Sequence, residues 1–389
     1  MTGRRVVERS AVSNTSDIVV VGGGLVGTAV AYGLVRAGAS VTLLDEGDVA
    51  HRASRGNFGL VWVQGKGADQ PAYARWTRRS ADLWPEFAAR LKRETGVDPC
   101  YRKEGGLHIC LDPEEMRARE ATLETIAGHT GTDQSGAGGR IDFAMLDRRH
   151  LAELVQGLGA DVAGASFCAD DGHCNPLFLL HALHAAFAAG GGRSVGEAPV
   201  ERIEPGSSGF LLHTAKGEFS AGRVVLAAGL GSARLAPMVG LTVPVRPQRG
   251  QVVVTTRQPP RLRLPTHWLR QTAEGSLMLG DSQEEVGHDE GVTLPVLQTI
   301  AARAVRCLPW LAEVPVLRSW GALRVMSPDG LPIYAQSAAF EGAFVVTCHS
   351  GVTLAAAHAG ALAPAIAEGA VPGELQCFGQ ERFDVPQAA

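Results

Sequence analysis

Three glycines and two acids near the start of the chain have the types and spacing of a nucleotide-binding site. The segment Gly22-x-Gly24-x-x-Gly27 follows a run of β-branched residues and leads directly into an apolar helical segment. The first glycine of such a loop makes the tight turn, the second lets the backbone approach a pyrophosphate, and the third allows close helix–strand packing. A second apolar run ends in Asp45-Glu46, where a strand-end carboxylate binds ribose hydroxyls. This order of elements predicts a bound dinucleotide, and the lack of an arginine directly after the acids argues against a 2′-phosphate.

The elements that must position this loop are typical of a parallel sheet covered by helices. Residues 18–21 are continuously apolar and residues 41–44 are apolar except for Thr42, as expected of strands buried on both faces, and residues 222–231 repeat that pattern. Residues 71–95 have a helical apolar spacing in which Pro85 is expected to kink or divide the helix. Further helices are predicted at 113–127, 176–189 and 294–307, and further strands at 106–111, 197–203, 209–214, 251–256, 276–280 and 343–347.

Composition and charge exclude several classes of protein. The chain has 389 residues, of which 20% are charged and 45% apolar, and a net charge of −4, so it has no electrostatic footprint for nucleic acid. No apolar stretch approaches the roughly 20 residues of a membrane span. Residues 1–15 lack the apolar core of a secretory signal and are predicted to form a disordered tail. We therefore expect a cytoplasmic protein of two domains.

The cysteines predict reduced thiols rather than a metal centre. Seven cysteines are scattered along the chain without any CxxC pair. Cys168 and Cys174 lie near His173, but their spacing fits neither zinc nor iron–sulfur ligation. Buried structural thiols are the better interpretation, and no metal site is predicted.

Six separated motifs resemble the D-amino-acid oxidase-like family of FAD oxidoreductases. This family includes glycine oxidase, sarcosine oxidase and the flavin subunits of proline, hydroxyproline and opine dehydrogenases. The motifs are VVVGGGLVGTAVAYGL with VTLLDEG, SRGNFG, DGHCNP, VVLAAGLGS, RSWGALRVMSPDGLPIY and TCHSGVTLAAAHAG. They occur in the family's order from residue 16 to about residue 369. The stretch SRGNFGLVWVQGKG is most similar to the opine and hydroxyproline dehydrogenase subunits.

The resemblance implies an α/β fold in which a discontinuous Rossmann-like FAD-binding domain carries an inserted β-rich α+β substrate domain. The expected division is a tail at 1–15, an FAD-binding domain at 16–95, 147–240 and 318–389, and a substrate domain at 96–146 and 241–317.

The resemblance also implies which residues hold FAD. These are Gly22, Gly24, Gly27, Asp45 and Glu46 at the pyrophosphate and ribose, Ser54, Arg55, Gly56 and Asn57 beside the flavin and its phosphates, Val200 at the adenine, Ala228 and Gly229 under the cofactor, and Gly351, Val352 and Thr353 at the flavin pyrimidine. A helix N-terminus at that pyrimidine edge would stabilise the negative charge of reduced flavin. Sarcosine oxidases attach flavin through a cysteine that is absent from residues 321–328, so non-covalent FAD is expected, with His51 as an alternative attachment point.

Arg324 matches the family arginine that binds the substrate carboxylate, which suits the planar guanidinium; the alternative is a structural ion pair. His349 follows Cys348 at the position where the family has a Gly-His pair, and it is expected either to tune the catalytic site or to be a packed histidine. Trp62 and Gln64 follow the flavin loop and are expected to line the substrate pocket, or else to serve the core or the surface.

The predicted activity is the oxidation of the C–N bond of a small amino or imino acid by hydride transfer to flavin N5, giving an imine. The substrate class includes D-amino acids, glycine or sarcosine, proline or hydroxyproline, and opines. Two alternatives remain open: a 2-hydroxy acid oxidoreductase, and a flavin-carrying subunit without independent turnover. Either electron-accepting partner subunits or a homo-oligomer is expected, because the chain has no iron–sulfur spacing and no second dinucleotide motif.

Overall fold

The computed structural model describes residues 14–47, 53–131, 139–280 and 282–383. In chain order the strands are β1 (Thr15–Val21), β2 (Val41–Leu44), β3 (Leu60–Val61), β4 (Gly106–Cys110), β5 (Phe143–Asp147), β6 (Gly164–Cys168), β7 (Gly172–His173), β8 (Arg193–Val195), β9 (Val200–Gly206), β10 (Gly209–Thr214), β11 (Gly217–Leu226), β12 (Arg246–Arg257), β13 (Leu269–Gln271), β14 (Ser276–Leu279), β15 (Val316–Met326), β16 (Ile333–Gln336) and β17 (Ala343–Thr347). The helices are α1 (Leu25–Arg36), α2 (Pro71–Thr95), α3 (Pro113–Thr130), α4 (Arg148–Leu154), α5 (Pro176–Ala189), α6 (Ser232–Leu235), α7 (Leu294–Cys307), α8 (Gly351–Ala357) and α9 (Ala363–Glu368). A π-helical turn, His358–Leu362, joins α8 to α9.

A largely parallel sheet forms the centre of the molecule. Its strand order is β16-β17-β11-β1-β2-β8, and the antiparallel pair β9–β10 joins it through β11. Val21 pairs in register with Leu226 on one side and with Leu44 on the other, so β1, β2 and β11 end at the same edge. Ligands of such sheets bind at this carboxyl edge. The predicted α/β class is confirmed.

Helix α1 is buried on nearly every side because it lies between this sheet and a second layer of helices. It packs against α5, α8 and α9, and its side chains from Val30 to Leu34 have at most 2% exposure apart from the glycine. Gly33 allows one of these contacts, since a Cβ there would lie 2.4 Å from the carbonyl oxygen of Ala359. The apolar composition of α1 therefore reflects its burial in the core.

A second region of the molecule is built from two antiparallel sheets. One has the order β13-β14-β12-β15 and the other the order β4-β6-β5. The amide N–H of Leu107 donates to the carbonyl of Pro265 at 2.9 Å and so links the two sheets. Leu107, Leu269 and Leu277 belong to the apolar core that these sheets share.

Two of the expected domain boundaries fall inside strands of this second region. Residue 147 ends β5, and residue 318 lies within β15. Strand β6, which was assigned to the FAD-binding segment 147–240, pairs with β4 and β5 instead. Strand partners that are distant in sequence decide such boundaries, and a change of local pattern does not reveal them. The two-domain division otherwise stays a prediction.

Pro85 is expected to kink or divide its helix, and of these two outcomes the division is wrong. Helix α2 continues from Pro71 to Thr95 with Pro85 inside it. The residues on both sides, Trp84 and Phe87, are buried in the same core, and this packing holds the helix together across the missing N–H. Helix α3 runs to Thr130, three residues beyond its predicted end. The predicted tail lies outside the described residues up to position 13.

Among the described residues, no single helix is both long enough and apolar enough to cross a membrane; one bent pair, Gly351–Glu368 with Gly373–Phe383, meets the criterion by length and composition only.

Candidate cofactor and substrate site

A cavity of about 810 Å³ lies at the carboxyl edge of the parallel sheet, within the usual size range of cofactor and ligand sites. Its lining at the sheet edge falls within residues 21–26, 44–46, 53–58, 198–200, 227–231 and 346–353. The opposite lining includes Trp62, Lys66, His108, Arg119, Gln248, Gln251, His267, Glu290 and residues 322–326. The cavity therefore joins the edge of the parallel sheet to both antiparallel sheets.

The glycine loop has the geometry that its spacing predicts. Gly22 has a φ of +110°, and a Cβ there would lie 2.4 Å from the carbonyl oxygen of Ala227. A Cβ on Gly27 would lie 1.9 Å from the carbonyl oxygen of Gly22, and a Cβ on Gly24 would lie 2.8 Å from Ser54 Oγ. Any side chain at these positions would therefore collide with backbone or fill the loop.

Asp45 and Ser54 hold the loop by hydrogen bonds to its backbone. Asp45 Oδ2 accepts from the Gly23 N–H at 2.7 Å, and Asp45 Oδ1 accepts from the Gly47 N–H at 2.9 Å. Ser54 Oγ accepts from the Leu25 N–H at 2.9 Å, in the first turn of α1. Asp45, Glu46 and Ser54 all line the cavity.

The predicted flavin loop is divided between the cavity and the surface. Gly56 is buried, and a Cβ there would lie 2.2 Å from Ala322 Cβ. Asn57 lines the cavity, and its Oδ1 accepts from the Gly59 N–H at 2.7 Å. Arg55 is exposed and does not belong to the cavity lining. The alternative attachment point, His51, lies outside the described residues.

Three more predicted residues lie at the far end of the sheet edge. Val200 is buried at the start of β9, and its carbonyl accepts from Arg234 Nη2 at 2.8 Å. Ala228 and Gly229 follow β11, where Gly229 has a φ of +57°. All three line the cavity.

Helix α8 brings Gly351, Val352 and Thr353 to the cavity wall. Ser350 precedes the helix, and the three residues form its first turn. The Thr353 carbonyl accepts from Ser80 Oγ at 2.6 Å and from Trp84 Nε1 at 3.0 Å, so helix α2 anchors α8.

Arg324 projects from β15 into the cavity, opposite Gln248 in the paired strand. Its Nη1 donates to the carbonyl oxygen of Ser282 at 2.7 Å. A Cβ on Gly250 would lie 2.6 Å from the guanidinium, so the absence of a side chain at Gly250 makes room for Arg324.

His349 lines the cavity beside Lys66, which the sequence interpretation did not single out. Its Nε2 lies 3.1 Å from Lys66 Nζ and 3.1 Å from Ser350 Oγ. Burial, followed by the positive charges of Lys66 and Arg324, holds the pKa of His349 well below its usual range. The ring is therefore neutral, and Nε2 accepts from the Lys66 ammonium group.

Of the two residues predicted to line the substrate pocket, only Trp62 belongs to the cavity lining. Gln64 is fully buried, and its Nε2 donates to the carbonyl oxygen of Gly106 at 3.1 Å and to Asp171 Oδ2. Its Oε1 accepts from Arg119 Nη2 at 2.7 Å. Burial raises the pKa of Asp171 to about 7. Among the described hydrogen-bond partners of the Gln64 side chain, Arg119 alone lines the cavity.

The cavity also contains His108, Arg119 and His267, for which the sequence interpretation proposed no role. The two imidazoles are stacked, with ring centroids 3.8 Å apart and an interplanar angle of 14°. Burial lowers the pKa of His108 to about 3, and it holds the pKa of His267 well below its usual range. These residues lie on three separate elements in no recognisable spacing, so no local signal was available to find them.

The cavity fits FAD at the positions that a dinucleotide requires. The glycine loop leaves room for a pyrophosphate against the start of α1, and the carboxyl groups of Asp45 and Glu46 lie beyond it. On the other side, the first turn of α8 and Arg324 border the same cavity.

Comparison with known proteins gives the same assignment. Residues 17–365 match the family model described as DAO, FAD dependent oxidoreductase. A subunit of opine oxidase from Rhizobium meliloti is 43% identical over 96% of this chain and 99% of its own length. Glycine oxidase of Geobacillus kaustophilus (strain HTA426) is 26% identical over 86% of this chain and 87% of its own. The crystal structure of glycine oxidase from Geobacillus kaustophilus has a TM-score of 0.84 at 24% identity, covering 94% of this chain and 98% of that one.

The match extends over most of the chain, and it includes the glycine loop, the acidic strand end and the α8 turn, which together border the cavity. The resemblance expected from the motifs is therefore confirmed: the chain belongs to the DAO family of FAD-dependent oxidoreductases.

Proposed function

We propose that this protein oxidises the C–N bond of a small amino or imino acid to an imine, with FAD as the electron acceptor. The observation that carries the proposal is the placement of Arg324, a carboxylate-binding side chain, in the same cavity as the dinucleotide loop. The 43% identity to a protein named as part of an opine oxidase favours a secondary amino acid of the opine type. Glycine or sarcosine, D-amino acids, and proline or hydroxyproline are the other members of the class.

FAD, when bound, supplies the hydride acceptor at its N5 atom. The glycine loop, Asp45 and Glu46 hold its pyrophosphate and ribose, and Ser54, Gly56 and Asn57 border the flavin. Val200 would lie at the adenine, and Ala228 and Gly229 would pass under the cofactor. The amides of Gly351, Val352 and Thr353 would hold the pyrimidine end of the flavin, where a helix N-terminus favours negative charge. Arg55 is exposed, so we assign it no contact with the flavin.

Arg324 binds the substrate carboxylate by two parallel hydrogen bonds and so fixes the direction of the Cα–H bond. Its Nη1 is held by the Ser282 carbonyl, which limits the rotation of the guanidinium before substrate enters. Positioning of this kind supplies most of what a hydride transfer requires from the protein.

His349 and Lys66 determine the protonation state in which the amine binds. Lys66 and Arg324 place two positive charges on the cavity wall, and His349 between them stays neutral. An ammonium group is repelled from this position, so the substrate amine binds uncharged with its nitrogen lone pair available. Loss of a hydride from Cα leaves a protonated imine, which releases its N–H proton to water to give the imine, so no protein base is required at Cα.

A substrate comparison tests the reaction class. Amino and imino acids should bleach the yellow FAD-loaded protein under anaerobic conditions, and 2-hydroxy acids should leave it yellow. Bleaching by 2-hydroxy acids alone would replace the proposal with the alternative activity.

FAD is held without a covalent bond in this proposal, because residues 321–328 contain no cysteine for the attachment seen in sarcosine oxidases. Acid precipitation should release all the yellow colour into the supernatant. Colour that stays with the pellet would contradict non-covalent binding.

An electron-accepting partner subunit is part of the proposal, supported by the name of the 43% identical relative, which describes it as one subunit of its enzyme. The reduced chain should remain reduced in air and be reoxidised rapidly by an artificial dye. Reoxidation by oxygen within one turnover, with stoichiometric peroxide, would remove the need for a partner. Turnover with a dye in the purified chain would also exclude a flavin carrier without activity of its own.

A further inference from the structure

The cavity wall contributed by the antiparallel sheets has a convergent group of nitrogen-bearing side chains. His108 comes from β4, Arg119 from α3, and His267 from the segment before β13, and all three line the cavity. The hydrogen bond from the Leu107 N–H to the Pro265 carbonyl sets β4 beside that segment. The two imidazoles are stacked as a result of this pairing.

Arg119 is a buried cation whose hydrogen-bond partners are all uncharged. It is 8% exposed, its Nη2 donates to Gln64 Oε1 at 2.7 Å and its Nε donates to Ser166 Oγ at 3.0 Å. Within the described ranges no carboxylate forms an ion pair with it. Asp171 acts on Arg119 through its charge and hydrogen-bonds to the same Gln64 side chain, without contacting the guanidinium in an ion pair. A buried guanidinium that forms no direct ion pair with a carboxylate favours an anion in the cavity.

The two histidines provide hydrogen-bonding nitrogens without adding charge. Burial and the nearby Arg119 guanidinium hold the pKa of both rings below the usual range, so they are neutral. Nδ1 of His267 is buried without a hydrogen-bond partner among the described residues. A buried nitrogen of this kind is satisfied when a ligand supplies its partner.

The charged side chains on the substrate side of the cavity also carry an excess of positive charge. Among the residues that the structure describes, and apart from those around the glycine loop and Arg234, the charged lining consists of Lys66, Arg119 and Arg324 and the carboxylate of Glu290. One substrate carboxylate leaves this lining with an excess of positive charge, and two carboxylates neutralise it.

We propose that Arg119, with His108 and His267, forms a second carboxylate anchor, so that the preferred substrate is a secondary amine with a carboxylate on both sides of the nitrogen. An N-(1-carboxyalkyl) amino acid has this chemistry. Arg324 holds the carboxylate next to the reacting carbon, and Arg119 holds the carboxylate of the other arm. Gln64 is a positioning residue that orients Arg119. This inference rests on the proposed function for the location of the substrate.

The test compares two unreactive thioethers by calorimetric titration of the FAD-loaded chain. One has two carboxymethyl arms, and the other has one carboxymethyl arm and a methyl group. The wild-type protein should bind the diacid about 10- to 100-fold more tightly, as expected for one additional charge-assisted contact. Arg119→Lys and His267→Phe should remove most of this preference and leave the affinity for the monoacid within about twofold.

Arg148→Lys is the control. Arg148 donates hydrogen bonds to the backbone carbonyls of Gly159 and Val162, and it lies outside the cavity lining. It should keep the preference for the diacid. Equal affinities of the wild-type protein for both thioethers would overturn the anchor, as would a parallel loss for both ligands in Arg119→Lys and His267→Phe. These outcomes are independent of turnover: a diacid preference without flavin bleaching by any amino acid would contradict the proposed function and leave the anchor supported.

Discussion

The two walls of the cavity are built in different ways. At the edge of the parallel sheet the site consists mainly of backbone, and glycines bring peptide groups close to a ligand because a Cβ at Gly22 or Gly27 would strike a carbonyl. On the opposite wall, Arg119, His108 and His267 from three separate elements supply side-chain nitrogens. The first wall suits a ligand that a whole family shares. The second can change with the substrate, because each of its side chains can be replaced without altering the sheet.

The largest expected effect is the loss of FAD binding when a side chain is introduced into the glycine loop. Gly27→Val places side-chain atoms where even a Cβ would lie 1.9 Å from the Gly22 carbonyl oxygen, so the loop and the start of α1 must separate. We expect a protein purified without FAD, measured by its absorbance spectrum, and a lower Tm. Gly128→Val is the control, because no described atom outside its own stretch of helix lies within 4 Å of a Cβ there. A yellow Gly27→Val protein with full FAD content would contradict the backbone account.

The second prediction concerns Gln64, which is buried behind the opposite wall and supports Arg119. Gln64→Leu removes hydrogen bonds to Asp171, to the Gly106 carbonyl and from Arg119, all in a fully buried setting. We expect a loss of about 2–4 kcal/mol in the free energy of unfolding, measured with denaturant, because buried polar groups lose their partners. FAD content should be unchanged once the protein is folded. Gln376→Leu, at an exposed position, should have little effect, and a similar loss in both variants would refute a special role for Gln64.

Arg324→Lys sharpens the comparison, since it keeps the positive charge and removes the planar fork. We expect kcat/KM to fall about 10- to 100-fold, the loss of one bidentate charge-assisted contact, with FAD content preserved. Arg318→Lys is the control, because Arg318 lies exposed on the same strand β15. An unchanged kcat/KM in Arg324→Lys would place the carboxylate elsewhere.

The smallest expected effect concerns the pH dependence of stability and the buried residue His358. Burial lowers the pKa of His358 to about 3, and its Nε2 lies 2.8 Å from the Tyr334 hydroxyl. Because the folded pKa is depressed below the 6.5 of the unfolded chain, its stabilising contribution is full above pH 6.5 and is lost as the pH falls towards 3. His358→Gln should flatten the decline in unfolding free energy below pH 6.5 by up to about 1.4 kcal/mol per pH unit.

The control for the pH prediction is Gln376→Leu, which changes an exposed side chain that does not titrate. This variant should follow the wild-type slope between about pH 6.5 and 4. Identical slopes for His358→Gln and the wild-type protein would mean that the unfolded chain does not gain a proton at this position.

The chain's sequence was informative wherever a role depends on local backbone geometry. Gly22, Gly24, Gly27 and the strand-end Asp45 stand at short, fixed separations, so their pattern predicted the loop that the structure has. Helix α5 is a similar case, because Asn175 before Pro176 is a local N-cap signal. The division expected at Pro85 is absent, because the core packing of Trp84 and Phe87 outweighs a local helix-breaking preference.

The sequence by itself thus determined the fold class, the family and the cofactor, since these depend on glycines and strand ends that act through their neighbours in the chain. Only the tertiary structure decided that β6 and β15 join the antiparallel sheets, that Gln64 lies behind the cavity, and that Lys66, His108, Arg119 and His267 line it. The physical reason is that the position of a side chain in a cavity depends on which distant strands pair. The link between Leu107 and Pro265 spans more than 150 residues of chain and leaves no periodicity in the sequence.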